Sequence, residues 1–410
     1  MNQKPRILFT TPVLKHPAIG GPFLRIENSI KALSQISDLT IHCRTPISRS
    51  EIEYYRLFCR NFYCAPSIRP LNLPITRAKR IVNRFSGKLL KKTLFPPNEK
   101  DFEDLLHIAD LLHPDLIWLG YGNISYSLLK YIKDNSKYPV VCDTDSVWSR
   151  FILRGLPYMQ NDADRTRIKN EGKEKEKEEL WGTQLADVTT AVSEIDADYY
   201  RKLAKKPEQI HVFSNVIDLK DYENILPEPA NFKKPCIYLA GTFWPKSPMD
   251  EAARWMIEKV IPLVKTQIPD IHFYIVGNGS DTTLRDISDP SVIITGQLPS
   301  VLPYLCHADV AVVPLKFESG TRFKILEAGA CKIPVVSTTL GAEGIPVTHN
   351  VNIVLADDPE SFARGIISLL SDPNSARQMG HRLHTLIEEK YGISTLINEG
   401  NTIIESVMHT

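Results

Sequence analysis

The sequence predicts an α/β protein of two domains, each built on a doubly wound parallel sheet with helices on both faces. Three observations carry this prediction. The chain has 410 residues, more than one typical domain holds. Short apolar strands alternate with helical segments, and this alternation restarts near residue 236. Between the two series, residues 219–234 are rich in Pro, Asn and charge, which is typical of a linker.

The first series begins with an apolar strand at Arg6–Thr11, and the glycine turn Gly20-Gly21 separates it from a segment with helical spacing at residues 25–34. Further strands of this series are predicted at residues 39–43, 116–119, 140–142, 187–192 and 210–213. The strands of the second series are predicted at residues 236–241, 271–277, 292–296, 310–314 and 333–337. Strands that alternate with helices form a parallel sheet covered on both faces.

The composition excludes several classes of protein. Lysine and arginine number 49 against 48 aspartates and glutamates, so no global field attracts nucleic acid. The seven cysteines form no C-x-x-C pair of the zinc or redox type, and we expect reduced, mostly buried thiols. The N-terminus enters a strand without an apolar leader, and no apolar run is long enough to span a bilayer. We therefore expect a soluble, cytoplasmic protein.

Two charged segments differ in pattern. Residues 165–179 mix both signs at helical spacing, which predicts a solvated helix face without a binding role. Ile75 to Phe95 holds seven Lys or Arg and no acid, with one apolar helical face. Such a helix can lie on the anionic inner face of a membrane, or it can be a core-packed helix with a basic outer face. Both interpretations remain open.

The most informative segment, residues 310–338, is predicted as a strand, a polar loop, a helix and a strand. Residues 318–321 open the helix, where free backbone N–H groups and the positive end of the helix dipole favour a phosphate. Arg322 and Lys324 follow in the predicted first turn, where the dipole disfavours cations. A bound anion would remove this conflict.

Glu327 lies about one turn further along the same helix, followed by Ala328, Gly329 and Ala330. These small residues leave room for the carboxylate to accept two hydroxyl groups of a ribose. The alternative is a helix that packs through its small residues and carries ordinary surface charges.

This string resembles the donor loop of the family-4 retaining glycosyltransferases of the GT-B fold, in particular the bacterial branch whose loop reads like G-T-R-x-K-x-x-E-A. The matching residues are Gly320, Thr321, Arg322, Lys324, Glu327 and Ala328, followed by residues 334–338 and 341–344. Weaker resemblance covers most of the remaining chain, at Gly20-Gly21 and at residues 187–194, 215–218, 296–299 and 308–310. The resemblance implies two Rossmann-like domains that face each other across a cleft.

The implied domain limits follow the GT-B pattern. Residues 1–217 form the N-terminal, acceptor-side domain, and residues 218–235 form the linker. Residues 236–388 form the domain that holds a nucleotide-sugar donor, and residues 389–410 form a helix that returns to the first domain.

The resemblance also assigns roles to residues of the donor site. Glu327 is implied as the ribose partner, Arg322 or Lys324 as a diphosphate partner, and the Leu298 region as a backbone contact to the base. The full implied donor set is Gly20, Gly21, Gly241, Lys246, Leu298, Ser319, Gly320, Thr321, Arg322, Lys324 and Glu327. The family usually has two glutamates separated by seven residues, but here the first position is Ser319, with Glu318 one place early. This departure leaves the contact with the transferred sugar open.

The candidate catalytic residues lie in the first domain. Asp143 and Asp145 follow a predicted strand, and ligands of open α/β sheets bind at the carboxyl ends of strands. Many members of the family have a histidine near this position that contacts the donor sugar, and this sequence offers Asp145 or Asp143 instead. Aspartates at strand ends also cap helices, which is the alternative. Arg25, early on the first helix, is the third candidate, because it could neutralise an acidic acceptor or donor.

The resemblance implies transfer of a sugar to a hydroxyl-bearing acceptor, which could be a saccharide, a lipid-linked glycan or a small molecule, in polysaccharide or glycoconjugate synthesis. It further implies retention of anomeric configuration and no metal or other cofactor, so that Arg322, Lys324 and helix amides stabilise the leaving diphosphate. Two alternatives remain: a non-catalytic nucleotide-sugar-binding subunit, suggested by the displaced glutamate, and a nucleotide-sugar epimerase. A nicotinamide-dependent dehydrogenase is excluded, because the first strand is not followed by G-x-G-x-x-G.

Overall fold

The computed structural model describes residues 4–64, 99–159, 161–224 and 226–408. The predicted basic segment 75–95 lies outside the described residues. Two parallel sheets, of seven and six strands, confirm the predicted fold class. No helix in the described ranges is both long and apolar enough to cross a membrane.

The first sheet consists of parallel strands in the order β3-β2-β1-β4-β5-β6-β7. Its strands are β1 (Arg6–Thr11), β2 (Asp38–Cys43), β3 (Asn61–Cys64), β4 (Leu116–Gly120), β5 (Val140–Asp143), β6 (Val188–Ala191) and β7 (Ile210–Val212). The strand order reverses between β1 and β4. Such a reversal opens a crevice at the carboxyl ends of the two strands.

Helices cover both faces of this sheet. They are α1 (Gly21–Ile36), α2 (Arg49–Tyr55), α3 (Glu99–Leu112), α4 (Tyr126–Asn135), α5 (Trp148–Arg154), α6 (Asp162–Leu185) and α7 (Glu194–Leu203). Successive side chains of a strand point to opposite faces. Ile7 and Phe9 accordingly join the core under α1, whereas Leu8 joins the core under α3 and α4.

Helix α6 contains the mixed-charge segment and is solvated over most of its length, as predicted. Two glycines let it approach its neighbours closely. An added Cβ at Gly172 would lie 2.5 Å from the side chain of Leu153 in α5, and one at Gly182 would lie 2.1 Å from Tyr126. Alanine at either position would therefore push α6 away from α5 or α4.

The second sheet has the strand order β10-β9-β8-β11-β12-β13, also parallel. Its strands are β8 (Cys236–Ala240), β9 (His272–Val276), β10 (Val292–Gly296), β11 (Val310–Val313), β12 (Val335–Ser337) and β13 (Val354–Leu355). Its helices are α8 (Pro248–Trp255), α9 (Ile261–Lys265), α10 (Ser280–Thr283), α11 (Leu302–Leu305), α12 (Phe323–Ala330), α13 (Pro359–Ser371) and α14 (Pro373–Lys390). Here the strand order reverses between β8 and β11.

The chain crosses between the domains at two neighbouring points. The first crossing leads from β7 into the linker, and the second leads from α14 into the last helix, α15 (Ile393–Met408). The two crossings are hydrogen-bonded to each other, since the amide of Ile217 donates to the carbonyl of Tyr391 at 2.9 Å. Helix α15 buries Leu396 and Ile403 in the core of the first domain.

Candidate functional site

The candidate site lies where the crevices of the two sheets face each other. In the second domain, the loop after β11 (residues 314–322) and the loop after β8 (residues 241–247) start at the strand-order reversal. In the first domain, the loops after β1 and β4 start at the corresponding reversal. Ligands of doubly wound sheets bind at such positions.

The loop after β11 touches the first domain directly. Gly320 has a φ of +82°, a left-handed conformation that favours glycine. An added Cβ at this position would lie 3.0 Å from the carbonyl oxygen of Asp145 and 3.2 Å from Cβ of Ser146. A side chain larger than hydrogen would therefore both strain the loop and separate it from the first domain.

Residues 319 to 321 of this loop form three hydrogen bonds with the first domain. The amide of Val147 donates to Oγ of Ser319 at 3.3 Å. Thr321 donates through Oγ1 to the carbonyl of Val192 at 3.1 Å, and Asn215 donates through Nδ2 to the carbonyl of Thr321 at 3.4 Å. Ser319 and Thr321 thus act in the structure as contacts between the domains.

Arg322 occupies the N-cap position of α12 rather than the predicted first turn. Its Nη1 donates to the carbonyl of Ser319 at 2.7 Å and to that of Gly320. The residue is 4% exposed, and Nε and Nη2 have no partner among the described residues. Burial lowers the pKa of Arg322, and nearby Glu318 opposes this shift. Buried N–H donors without partners are costly, so an anion that accepts from them would be stabilised.

Lys324 and Glu327 follow on α12, one turn apart and both partly buried. Burial lowers the pKa of Lys324. Burial also raises the pKa of Glu327 to about 7, against the opposing effects of Lys324 and of a hydrogen bond from Tyr222. The hydroxyl of Tyr222, which lies in the linker, donates to Oε1 of Glu327 at 3.2 Å. The sequence did not point to Tyr222.

The glycine turn of the first domain faces the start of α12. Gly20 has a φ of +90°, and an added Cβ there would meet nothing within 4 Å. An added Cβ at Gly21 would lie 3.1 Å from the ring of Phe323, the first residue of α12. The turn therefore approaches the positive end of this helix, and the backbone of Gly20 borders open space beside it.

Arg25 and Asp143 are paired with each other in the interior. Arg25 is 2% exposed and Asp143 is fully buried, and Nη2 of Arg25 donates to Oδ1 of Asp143. Nη1 of Arg25 donates to Oδ1 of Asn215 at 2.8 Å, and Thr190 donates to Asp143 at 2.7 Å. This burial favours a structural link over the catalytic role that the sequence suggested for the two residues.

Asp145 is partly exposed at the edge of the cleft, next to Gly320. Its Oδ1 accepts hydrogen bonds from Nδ2 of Asn123 at 2.6 Å and from Nε1 of Trp148 at 3.1 Å. A further hydrogen bond joins its carboxylate to the hydroxyl of Tyr121, whose pKa is raised well above its usual value by burial and by Asp145. Asp145 is therefore the catalytic candidate that the geometry favours.

The Asp145→Asn substitution tests this role. Asparagine keeps an acceptor for Asn123 and Trp148 but removes the charge, so the fold should persist. If the carboxylate stabilises charge at the reacting sugar, kcat should fall by about 10²-fold while the donor Kd changes little. Steady-state kinetics and calorimetric titration of the donor measure both quantities. Unchanged turnover would remove Asp145 from the site.

An ionic cluster joins the domains beside the loop after β11. Arg154 forms two parallel hydrogen bonds with Glu343, both of 2.7 Å, and donates through Nη1 to the carbonyl of Glu318 at 2.7 Å. Arg150 donates to Glu343 at 3.2 Å and to Asp196 at 2.9 Å. We call Arg150, Arg154 and Glu343 the arginine clamp. Both arginines come from α5, whereas Glu343 follows β12 in the second domain.

The remaining predicted donor residues lie in two loops, one that follows β8 and one that follows β10. An added Cβ at Gly241 would lie 2.8 Å from Cε of Met249, so glycine keeps α8 close to this loop. Lys246 is exposed, with a φ of +63°, and its amide donates to Asp250 at 2.8 Å. Leu298 is partly buried against the core of the second domain. The roles of these residues toward a ligand stay predictions.

In the part of the chain that the structure describes, no three His, Cys, Asp or Glu side chains cluster in a way that would hold a metal ion.

Comparison with known proteins adds to this geometry. Residues 234–372 match the family model of the glycosyl transferases group 1. An uncharacterized 44.6 kDa protein in the cps region of Klebsiella pneumoniae is 25% identical over 146 residues, which are 33% of this chain and 38% of that protein. A GDP-mannose-dependent monoacylated α-(1-6)-phosphatidylinositol monomannoside mannosyltransferase of Corynebacterium glutamicum is 26% identical over 249 residues, 55% of this chain and 63% of that protein. The chain thus spans less than two thirds of the length of these relatives.

Among solved structures, HepE of Anabaena in complex with UDP is similar, with a TM-score of 0.63 and 14% identity. The match covers 98% of this chain and 100% of HepE. The likeness extends over both domains and concerns the fold. The chain therefore has the GT-B fold, and residues 234–372 are similar to the glycosyl transferases group 1.

Proposed function

We propose that this protein transfers a sugar from a nucleoside-diphosphate sugar to a hydroxyl group of an acceptor. One observation carries the proposal: the start of α12 presents two buried donors of Arg322, together with Lys324 and Glu327, opposite the glycine turn of the first domain. Cationic and anionic groups at this spacing match a diphosphate and a ribose, respectively.

The chemistry requires that the departing nucleoside diphosphate be stabilised as negative charge develops on it. The positive end of α12 and the unpaired N–H groups of Arg322 supply such stabilisation without a metal ion. Burial disfavours the charged form of Lys324, so an anion that binds next to this side chain stabilises its charge. These features support a donor diphosphate bound at the start of α12.

Glu327 is suited to the ribose because a carboxylate accepts hydrogen bonds from two hydroxyl groups at once. In the proposed complex, the two ribose hydroxyl groups replace water around the carboxylate of Glu327. Their hydrogen bonds stabilise a negative charge that burial disfavours in the unliganded protein. Tyr222 already holds Oε1 from the linker side at 3.2 Å, which orients the carboxylate before the donor arrives.

Donor affinity should depend on pH through Glu327. The raised pKa of about 7 means that the unliganded carboxyl is largely protonated below neutrality. Because the ribose hydroxyls require the ionised form as acceptor, the donor Kd should fall about tenfold per pH unit as pH rises from 5 to 7, and level off above 7. Calorimetric titration with a nucleotide sugar measures this. A Glu327→Gln variant should show no such slope, and an equal slope in that variant would assign the titration to another group.

Retention of configuration, metal independence and a place in polysaccharide or glycoconjugate synthesis are finer parts of the proposal. They rest on the sequence resemblance, and the cps-region relative supports the last of them. HepE binds UDP, and the Corynebacterium relative uses GDP-mannose, so both bases are included in the test.

The test of the function is product analysis. The protein is incubated with UDP-, GDP- and ADP-sugars, with and without oligosaccharide and lipid-linked acceptors, in the presence of a chelator. We expect one donor to release its nucleoside diphosphate together with a glycosylated acceptor. Rearrangement of the donor without acceptor would favour an epimerase, and binding without turnover would favour a non-catalytic subunit. Either result would contradict the proposal.

Contact of Ile75 to Phe95 with an anionic membrane remains a proposal from the sequence alone, because these residues lie outside the described ranges. Co-sedimentation with anionic liposomes decides it, with Lys88, Lys91 and Lys92 changed to Glu as the matched variant.

A further inference from the structure

Two cysteines of the second domain lie side by side at the ends of two helices. Cys306 follows α11 and Cys331 follows α12, and their Sγ atoms are 3.7 Å apart. Both residues are partly exposed, whereas Cys43, Cys142 and Cys236 are buried. The pair is therefore nearer to the surface than these three thiols.

The two thiols differ in acidity. The pKa of Cys306 is lowered to about 6, chiefly by a hydrogen bond from the Cys331 thiol and further by the backbone of Leu226 and by His307, against the opposing effect of burial. The pKa of Cys331 is raised by the same hydrogen bond, by burial and by the negative charge of Cys306. Cys306 is therefore the more acidic of the two thiols, and Cys331 is the one that holds its proton more tightly. This asymmetry is typical of an attacking and a resolving cysteine.

We propose that Cys306 and Cys331 form an oxidisable dithiol site, which a peroxide converts to an intramolecular disulfide. In the first step the Cys306 thiolate attacks one peroxide oxygen, the O–O bond breaks, and the departing hydroxide takes up a proton as water. In the second step Cys331 loses its proton and attacks the sulfur of the Cys306 sulfenic acid. The S–O bond breaks, and a second water leaves. Two thiols and one peroxide thus give one disulfide and two waters.

Another thiol pair is the natural competitor. Cys43 and Cys64 are in register on the parallel strands β2 and β3. Cys43, however, is buried and donates its thiol to the carbonyl of Thr45 at 3.1 Å, and burial raises its pKa. Cys43 is therefore less suited than Cys306 to act as the attacking thiol.

Oxidation would act on the proposed donor site, a consequence that rests on the proposed function. The amide of Cys331 donates to the carbonyl of Glu327 at 3.1 Å, so Cys331 directly terminates the turn that holds the ribose carboxylate. A disulfide has an S–S length near 2.05 Å, so the two sulfurs must approach by more than 1 Å. We expect this movement to displace the end of α12 and raise the donor Kd several-fold.

The experiment treats the full chain with a small excess of hydrogen peroxide, alkylates the remaining thiols, and maps peptides by mass spectrometry without reduction. We expect a Cys306–Cys331 linked peptide that dithiothreitol reverses. The Cys331→Ser variant should instead leave Cys306 as a sulfenic acid that dimedone labels, and the Cys64→Ser variant should form the link normally. Full alkylation of both Cys306 and Cys331 after peroxide, or a link found only between other cysteines, would overturn the proposal.

The same samples separate this proposal from the proposed function. Donor titration of the reduced and oxidised proteins should give a higher Kd for the oxidised one. Equal Kd values would overturn the coupling to Glu327. Absence of donor binding by the reduced protein would instead count against the glycosyltransferase function, while a mapped disulfide would still support the dithiol site.

Discussion

Replacing Glu327 with alanine is expected to abolish most of the thermal stabilisation that the matching nucleotide sugar gives to the wild-type protein. A donor at a hundred times its Kd stabilises the native state by about 2.7 kcal/mol. Loss of two hydrogen bonds to a charged acceptor should weaken binding by roughly 30-fold, which reduces the stabilisation to about 0.9 kcal/mol at the same concentration. A thermal-shift panel of UDP-, GDP- and ADP-sugars on both proteins measures the effect and identifies the base.

Tyr222→Phe is the matched control for Glu327→Ala. It removes the hydroxyl that donates to Oε1 of Glu327 but keeps the carboxylate. Donor stabilisation in this variant should fall much less than in Glu327→Ala, because the carboxylate that accepts from the ribose remains. Burial raises the pKa of Glu327, so the folded protein disfavours the ionised carboxylate. Removal of this charge in Glu327→Ala should therefore not destabilise the unliganded protein. Equal donor shifts in wild type and Glu327→Ala would place the ribose elsewhere.

Replacing Arg154 with alanine is expected to release the second domain from the first. The substitution removes two hydrogen bonds to Glu343 and one to the carbonyl of Glu318, all at 2.7 Å. The groups are only 22–23% exposed, so we expect a loss of about 1–3 kcal/mol, below that of a fully buried pair. Because Glu318 lies in the loop that leads to the proposed diphosphate site, donor KM should rise roughly 10-fold or more and kcat should fall. Small-angle scattering should show a larger radius of gyration.

A double-mutant cycle with Arg154→Ala and Glu343→Ala isolates this pair, and a coupling energy near zero would contradict the clamp. Arg201→Ala is the matched control, because Arg201 forms its ion pairs with Glu194 and Asp198 within the first domain. Its loss should leave both the kinetics and the scattering unchanged. An equal effect of Arg201→Ala would show that the response reflects general charge rather than contact between the domains.

The fold was predictable because strands of a parallel sheet are buried on both faces and appear as continuous apolar runs. The central strands β1, β4, β8 and β11 lie within one or two residues of their predicted positions. The strands that were not predicted, β3 and β13, are short and lie at sheet edges. Asn61–Cys64 begins with a polar residue and Val354–Leu355 has only two residues, so neither strand forms an apolar run long enough to mark it in the sequence.

The site was predictable where its residues are close in sequence. Gly320 to Glu327 form one loop and one helix, so the spacing alone places them together. Arg154 and Glu343 are 189 residues apart, and Tyr222 and Glu327 are 105 apart, and no local pattern signals such pairs. The position of Arg322 was missed by one residue. Arg322 is the N-cap residue of α12, and its side chain turns back and donates to the carbonyl of Ser319 in its own loop.

The two neighbouring crossings of the chain also determine how the cleft can move. A single tether would leave the domains free to rotate in any direction and to slide apart. Two crossings that are hydrogen-bonded to each other, as Ile217 is to Tyr391 at 2.9 Å, form an interdomain hinge. We expect them to limit sliding and twisting of the domains more than rotation about the line that joins them. The last helix, far from the proposed chemistry, would then set the axis of any opening of the cleft.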